Sequence, residues 1–194
     1  DKSSFIVSLN AEIPVKVAAT LADSVSLYIN NTFIKSGKTA DLVTDTITAY
    51  QYGEFWVKAI AWDKPSFAAD SFYFYVRKPL VTEELPAGMK DGINYTSNTS
   101  VTLVLHAPYF NYAFVTGDFT DWRACEDGYM KRTPDAERYW IEINGLVPGK
   151  EYRFQYIVDS SLIVAEPYAD KILDPWNDSY ITSVTYPGLI NYPT

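Results

Sequence analysis

The feature that most constrains this fold is a regular succession of short β-type runs. Stretches rich in Val, Ile, Thr, Tyr and Phe recur about every ten residues, separated by turn signals such as "NNT" and "SGK". No segment shows a convincing 3.6-residue period of the kind that marks an amphipathic helix. The sequence therefore predicts an all-β chain.

The spacing of these runs predicts two tandem immunoglobulin-like β-sandwiches. About seven strands fall within residues 1–79, which is the strand count of an immunoglobulin-like domain. Residues 80–94 belong to a stretch with Pro, Gly and little alternation, and we interpret them as a linker. Residues 95–194 hold further β-type runs with longer loops and end in a Pro- and Tyr-rich bridge segment, so a second β-sandwich is expected there.

Charge limits the partners that the chain can bind. Residues 1–79 hold eight basic and eight acidic residues, whereas residues 80–194 hold eight basic and sixteen acidic ones and carry the whole net charge of −8. Nucleic acids and anionic membrane surfaces require clustered Lys and Arg, so neither is an expected partner. No apolar run is long enough to insert in a membrane, and the N-terminus lacks the layout of a signal peptide, so any signal segment lies outside this chain.

Two carboxylates stand close together in "FVTGDFTDW". Asp118 and Asp121 have a spacing that suits the acid and base of a glycosidase, which need carboxyl groups about 5–10 Å apart in an enclosed cleft. Gly-Asp and Thr-Asp are also ordinary turn formers, and a small sandwich offers little enclosure. We therefore predict a turn here and no catalytic residue in the chain.

Metal and nucleophile chemistry have little support. Asp174, Asn177 and Asp178 in "DPWND" are oxygen ligands of a kind that Ca²⁺ accepts, but the loop lacks the pattern of an EF-hand and a solvated turn is the simpler interpretation. His106 and Cys125 are single residues of their types, which excludes an internal disulfide and argues against a zinc site. No metal and no cofactor are expected.

The aromatic residues give a stronger signal. Five Trp, sixteen Tyr and ten Phe exceed what two small cores can bury, and exposed rings stack on the C–H faces of sugars. Trp140 begins the strand "YWIEI", whereas Trp122 and Trp176 fall in loops. For the loop residues, sugar contact and packing are both open.

The second half of the chain resembles a known family. The strand ending in "GDFTDW", the run "RYWIEINGLVPG", the Tyr-rich strand "EYRFQYIVD" and the following "EPY" are similar, in this order, to the sandwich of carbohydrate-binding module family 48. That module precedes the catalytic barrel of α-amylase-type enzymes in glycoside hydrolase family 13. The resemblance covers residues 95–180, and it implies a non-catalytic front region of a secreted, periplasmic or cell-surface α-glucan hydrolase whose barrel is absent here.

The resemblance implies a sugar site only in part. Trp122 occupies the position of a Trp that stacks on glucose, while the position of a supporting Lys holds Gln155, with Arg153 nearby. A second stacking Trp is replaced by Leu162. The residues expected to bind carbohydrate are Trp122, Trp140, Arg153, Gln155, Trp176 and Asn177.

The partners implied are an α-glucan polysaccharide and a catalytic domain of the same chain. Two other functions fit the sequence. The sandwiches could be structural spacers whose aromatics bury against a neighbouring domain, or a free-standing adhesin-like pair that binds protein or glycan.

Overall fold

The chain divides into two compact units, residues 1–78 and residues 79–194. The computed structural model describes residues 5–38, 43–160, 162–169 and 171–172. Within these residues the regular structure is β-strand, apart from one turn of 3-10 helix at Glu126–Gly128. The predicted all-β class is confirmed.

The first unit contains two β-sheets. Its strands are β1 (Phe5–Val7), β2 (Glu12–Val17), β3 (Ser24–Ile29), β4 (Thr32–Lys38), β5 (Val43–Thr48), β6 (Gly53–Asp63) and β7 (Ser66–Val76). One sheet has the order β1-β7-β6-β3-β4, and β2 pairs with β5 in the other. The seven strands in two sheets are those of a sandwich.

Strand alternation builds the core of this unit. Phe55 and Val57 of β6 point inward with Phe74 of β7, and the rings of Phe55 and Phe74 stack with centroids 4.8 Å apart. Ile13 of β2 and Ile47 of β5 close the core from the second sheet. The intervening β6 residues therefore face outward.

Two tryptophans lie on that outward face. Trp56 is 41% exposed and packs against Tyr73, with ring centroids 5.3 Å apart. Trp62, six residues further along β6, packs against Phe67 at 5.4 Å. Neither residue belongs to the core of the first unit.

The second unit is also built from two sheets. Its strands are β8 (Gly92–Tyr95), β9 (Val101–His106), β10 (Ala113–Gly117), β11 (Lys131–Arg132), β12 (Arg138–Ile143), β13 (Phe154–Val158) and β14 (Leu162–Val164). The sheets have the orders β11-β12-β9-β8 and β10-β13-β14. Alternate residues of both sheets meet in one core that includes Leu103, Val115, Tyr139 and Tyr156. The prediction of two tandem sandwiches is confirmed.

The segment predicted as a linker is partly built into this second unit. Arg132 donates its backbone N–H to Val81 and accepts one from Glu83, and Thr82 lies opposite it as an isolated bridge. β8 also begins at Gly92, within the predicted linker. Pro and Gly residues signalled irregular backbone correctly, but they do not reveal that the backbone hydrogen-bonds to a strand fifty residues away.

Two carboxylates fix the ends of β13 and β14. The Asp159 carboxylate accepts the backbone N–H groups of Asn111 and Tyr112, at 2.9 and 3.1 Å, which joins the start of β10 to the end of β13. Buried Glu166 accepts the hydroxyl of Tyr156, and burial together with the Glu166 charge raises the pKa of Tyr156 well above its ordinary value. Asp159 therefore holds one end of the β10–β13 pair. The turn that follows β10 lies at the other end of this pair.

Candidate functional site

The turn after β10 holds Trp122, which is partly exposed, whereas Trp140, the other tryptophan that the structure describes in the second unit, is buried. Gly117 accepts backbone N–H groups from Thr120 at 2.9 Å and from Trp122 at 3.0 Å. The buried Thr120 hydroxyl oxygen accepts the Gly117 N–H at 2.9 Å. These three hydrogen bonds to Gly117 close the turn into a tight loop.

Gly117 is required by the neighbouring strand. A Cβ on this residue would lie 2.3 Å from the carbonyl oxygen of Arg153, which is closer than side-chain carbons approach a backbone oxygen. Only a residue without a side chain lets β10 run this close to the start of β13. The same Arg153 oxygen accepts the N–H of Asp118 at 3.0 Å.

The backbone of the turn is strained at its end. Asp121 and Trp122 have φ of 49° and 59°, in the left-handed region that bulky residues seldom occupy. Such conformations cost of order 1–3 kcal/mol each and persist only where the surroundings enforce them. The contacts of Trp122 with the Gly117 carbonyl and the Asp118 carboxylate offset this cost and hold the residue in place.

Asp118 is the centre of the contacts that hold the indole. Its carboxylate accepts the Trp122 Nε1–H at 3.1 Å, and it accepts both the backbone N–H and the Nε–H of Arg153, at 3.1 and 3.0 Å. The Asp118 side chain is only 14% exposed, against 35% for Arg153. Asp118 therefore ties the turn, the ring and the neighbouring strand together.

Electrostatics agree with this geometry. Partial burial alone would raise the pKa of Asp118, but the hydrogen bonds from Arg153 and Trp122 and the Arg153 charge outweigh it and hold the pKa below its ordinary value. Asp118 is thus an ionised anchor. Asp121 lies on the other side of the turn, with an 83% exposed side chain that pairs with Arg123 at 3.3 Å.

The structure brings together some of the residues expected to bind carbohydrate. Half-buried Trp122 and half-exposed Arg153 meet through Asp118. Gln155 lies two residues beyond Arg153 on the same face of β13, opposite Thr116, but it is buried with 7% exposure. The accessible part of the site is therefore the indole of Trp122 and the guanidinium of Arg153.

Trp140 does not join this site. It lies in β12 of the other sheet and is 4% exposed. Its Nε1–H donates to the Glu83 carbonyl at 3.1 Å, and the Lys131 ammonium lies 4.5 Å above its ring. Glu83, from the segment interpreted as a linker, and Lys131 of β11 thus contact a buried ring that is not open to a sugar.

The remaining expected residues give no further support. Trp176 and Asn177 lie outside the described residues, as do Asp174 and Asp178 of the considered calcium loop. Leu162, which stands where the family places a second stacking Trp, is 44% exposed at the start of β14. In the described part of the chain, the site therefore offers the partly exposed ring of Trp122.

Sequence reasoning missed the anchoring role of Asp118. The signal was the spacing of four residues between a carboxylate and a tryptophan in one turn, which lets the carboxylate reach the indole N–H. The sequence predicts Asp118 as a turn-forming residue, the usual role of Asp in such a loop. Its main partners are instead the Trp122 ring and the next strand.

Neither a metal centre nor a membrane span emerges from the described ranges. Residues 5–38, 43–160, 162–169 and 171–172 contain no cluster of three or more His, Cys, Asp or Glu side chains able to hold a metal ion. The same ranges contain no helix long and apolar enough to cross a bilayer.

Comparison with known proteins finds fold-level likenesses to solved structures only. No family model and no curated protein matches the chain. Fibronectin(III)-like modules of Clostridium thermocellum CbhA match with a TM-score of 0.37 and 17% identity, over 84% of this chain and 86% of that one. Bacteroides uniformis beta-glucuronidase 3 matches at 0.33 and 8%, over 84% of this chain and 23% of that one. The central fibronectin-III array of RIM-binding protein matches at 0.29 and 15%, over 80% and 60%.

Proposed function

We propose that this chain is a non-catalytic accessory region of a longer α-glucan-active glycoside hydrolase that works outside the cytoplasm. In this proposal the second sandwich binds neutral glucan through Trp122, and both sandwiches help to position a catalytic domain of the same protein. The choice of α-glucan rests on the resemblance of residues 95–180 to carbohydrate-binding module family 48. The observation that carries the binding role is the anchored indole of Trp122.

The anchored ring suits sugar stacking. An aromatic face packs against the C–H groups of a pyranose ring, and it binds better when little conformational freedom is lost on contact. The hydrogen bond from Nε1 to Asp118 and the enforced turn already restrict Trp122. The ring is thus ordered before a ligand arrives.

Arg153 supplies a polar group beside the ring. Its guanidinium is 35% exposed and is oriented by Asp118 through Nε at 3.0 Å. An Arg so placed donates hydrogen bonds to ligand hydroxyl groups, as the Lys of the resembled family does. Trp140 and Gln155 are left out of the proposed contact set because both are buried.

Charge favours a neutral ligand. The half of the chain that holds the site carries eight basic and sixteen acidic residues, so it repels polyanions such as nucleic acids or sulfated glycans. A glucan has no charge and meets no such barrier. The acidic balance therefore supports a neutral polysaccharide over a charged one.

A spacer without glycan binding is the second candidate function. Trp56 and Phe67 of the first unit are 41% and 64% exposed on the outward face of one sheet. Exposed aromatic faces also occur where a domain normally packs against a partner. In this alternative both units are covered by the missing catalytic domain.

Affinity electrophoresis separates the two candidates. The 194-residue chain is run in native gels with and without amylopectin or glycogen, beside a protein that does not bind glucan. We expect glucan to retard the wild type and Trp56→Ala, and not Trp122→Ala. Trp56 is a matched control because it is also a partly exposed tryptophan, in the other unit. Unchanged wild-type mobility at high glucan concentration contradicts the binding role and favours the spacer.

A further inference from the structure

A groove of about 550 Å³ opens at one end of the second sandwich. It lies between the β8–β9 hairpin on one side and residues 146–152 on the other. Its volume is within the range of ligand-binding pockets, roughly 300–1,000 Å³. Neither Trp122 nor Arg153 lines it, so the groove is a separate surface from the proposed glucan site.

The floor of the groove consists of core-facing side chains. Ile93 and Leu103 lie opposite each other in β8 and β9, and together with Val101 they pack in the core of the sandwich. Phe119 and Phe154 pack on the same core, with ring centroids 6.4 Å apart. Except for Leu103, these side chains are only half-buried. The two sheets therefore leave apolar surface uncovered at this end, and an apolar ligand that covers it is stabilised by its burial.

Tyr95 forms one wall of the groove. It follows Ile93 by two residues in β8 and lies opposite Val101 of β9, so strand alternation directs all three side chains to the same side of the sheet. Even so, 78% of Tyr95 is exposed. The ring is therefore open to a ligand that enters the groove.

The opposite wall is fixed by hydrogen bonds of its own loop. The Tyr152 hydroxyl accepts the backbone N–H of Val147 at 2.9 Å, and the Val147 carbonyl accepts the N–H of Lys150 at 3.1 Å. The Leu146 N–H donates to the Thr99 carbonyl at 2.9 Å, which joins this loop to the β8–β9 hairpin. The groove is therefore preformed, and binding need not order its walls.

A cation stands at the rim of the groove. The lining residues that carry a formal charge are Lys150 and Glu151. The Glu151 carboxylate pairs with the Lys171 ammonium at 2.8 Å. Lys150 takes part in no ion pair of the described residues, and its ammonium lies 4.6 Å from the centroid of the Tyr152 ring. Within the described part of the chain, the rim thus carries one positive charge without a carboxylate partner.

This positive charge lies in an acidic half of the chain. Residues 80–194 hold eight basic and sixteen acidic residues, so a polyanion is repelled by the unit as a whole. A ligand with one carboxylate can pair with Lys150 while its apolar part covers the floor. Charge complementarity therefore favours a single negative charge attached to an apolar body.

We propose that the groove binds a small apolar monocarboxylate, such as a medium-chain alkanoate, with its carboxylate at Lys150 and its alkyl chain along the floor. An alkyl chain suits the floor because it has no polar group that would lose its hydrogen bonds to water. Tyr95 contacts the chain from the side of β8. The inference goes beyond the proposed glucan-binding function and does not depend on it.

Three octyl compounds test the site. Two-dimensional ¹H–¹⁵N spectra of the whole chain are recorded during titration with octanoate, octanol and octylammonium, below the concentrations at which they form micelles. The three share one alkyl chain and differ in charge. Octanoate should move the backbone signals of residues 93–103 and 146–152 and bind most tightly. Octylammonium should bind most weakly, because Lys150 attracts the anion and repels the cation.

Two pairs of variants separate the charge from the apolar contact. Lys150→Gln should weaken octanoate binding about 2- to 5-fold, the scale of one exposed ion pair, and bring it to the level of octanol. Lys38→Gln, which changes an exposed lysine of the first unit, is the matched control. Tyr95→Ala should weaken octanoate and octanol binding alike. Tyr109→Ala should leave both unchanged, since Tyr109 is 99% exposed and does not line the groove.

Several results would overturn the proposal. Octanoate that causes no saturable shift of the groove signals rules out the site. Equal affinities for octanoate and octylammonium, or equal octanoate affinities of Lys150→Gln and Lys38→Gln, rule out the pairing of a carboxylate with Lys150. Equal affinities of Tyr95→Ala and Tyr109→Ala place the alkyl chain elsewhere. None of these results changes the expected retardation by glucan, so failure of this inference is distinguishable from failure of the proposed function.

Discussion

Trp122 and Trp140 lie in the same sandwich, but Trp122 is partly exposed and Trp140 is buried. Trp140 lies in the regular strand β12, donates to the Glu83 carbonyl and is 4% exposed. Trp122 lies in a strained turn, donates to the Asp118 carboxylate and is half-buried. Each indole N–H has a partner, so hydrogen bonding does not separate them. What separates them is whether another segment of the chain covers the ring.

A residue on the outer face of a sheet can still be buried when other residues pack over it, as Trp140 is. Alternation in β12 places Tyr139 and Ile141 in the core and Trp140 on the outer face of its sheet. The Glu83 carbonyl then accepts the indole N–H of Trp140, and the Lys131 ammonium lies over its ring. A tryptophan on an outer face is therefore available to a ligand only where no such segment lies over it.

The largest effect is expected at Trp140. Trp140→Ala should lower the free energy of unfolding of the second unit by about 3–5 kcal/mol, because it empties a buried site and leaves the Glu83 carbonyl without its donor. Urea denaturation followed by far-UV circular dichroism measures this loss. Glucan retardation of the molecules that remain folded should equal that of the wild type. A loss below about 1 kcal/mol would show that the ring is not part of the packed structure.

Asp118→Ala comes next. It removes the acceptor of Trp122 Nε1 and of two Arg153 N–H groups, so we expect a loss of about 1–3 kcal/mol in unfolding free energy and weaker glucan binding. Asp118→Asn, which keeps the size of the side chain, serves as the matched variant. Retained glucan affinity in both variants would contradict the anchoring role.

The pH dependence of Asp118 has a definite sign. Its pKa is lowered in the folded chain, so its contribution to stability is fully present above the unfolded value, about pH 4, and is lost as the pH falls through the lowered folded pKa. The difference in unfolding free energy between wild type and Asp118→Asn should therefore shrink as the pH drops below about 4. Denaturation series at several acidic pH values test this; a difference that grows toward low pH contradicts it.

Lys131→Ala should have the smallest effect. The Lys131 ammonium lies above the Trp140 ring and pairs with Glu83 at 2.8 Å, but its side chain is 37% exposed. Exposed cation–π and ion-pair contacts contribute about 1 kcal/mol or less. Thermal unfolding at low and high salt provides the measurement. A cost near that of Trp140→Ala would contradict the small contribution assigned to these exposed contacts.

The strands could be predicted from the sequence because alternation is local. Val101, Leu103 and Leu105 alternate with residues of the opposite face, and the structure places Leu103 and Leu105 in the core. The seven strands expected in the first unit follow from the same pattern. Each of these strands can be predicted because its pattern repeats every two residues along the sequence.

The rest of the site depends on contacts between distant residues. The cover on Trp140 comes from Glu83, 57 positions away, and the anchor of Trp122 depends on Arg153, 35 positions from Asp118. No local period encodes either pairing. The composition predicts more aromatic residues than the cores can bury, and Trp56 and Phe67 are indeed exposed. It does not identify which rings of the second unit are accessible to solvent.

A two-dimensional ¹H–¹⁵N spectrum of the indole N–H groups, recorded during titration with maltoheptaose, tests the central claim most directly. Trp→Phe variants assign the signals of Trp122, Trp140 and Trp56. The Trp122 signal should move in proportion to the bound fraction, while the signals of buried Trp140 and of Trp56 in the other unit stay in place. A Trp122 signal that does not move at saturating ligand, or a Trp140 signal that moves instead, would contradict the assignment of Trp122 as the sugar platform.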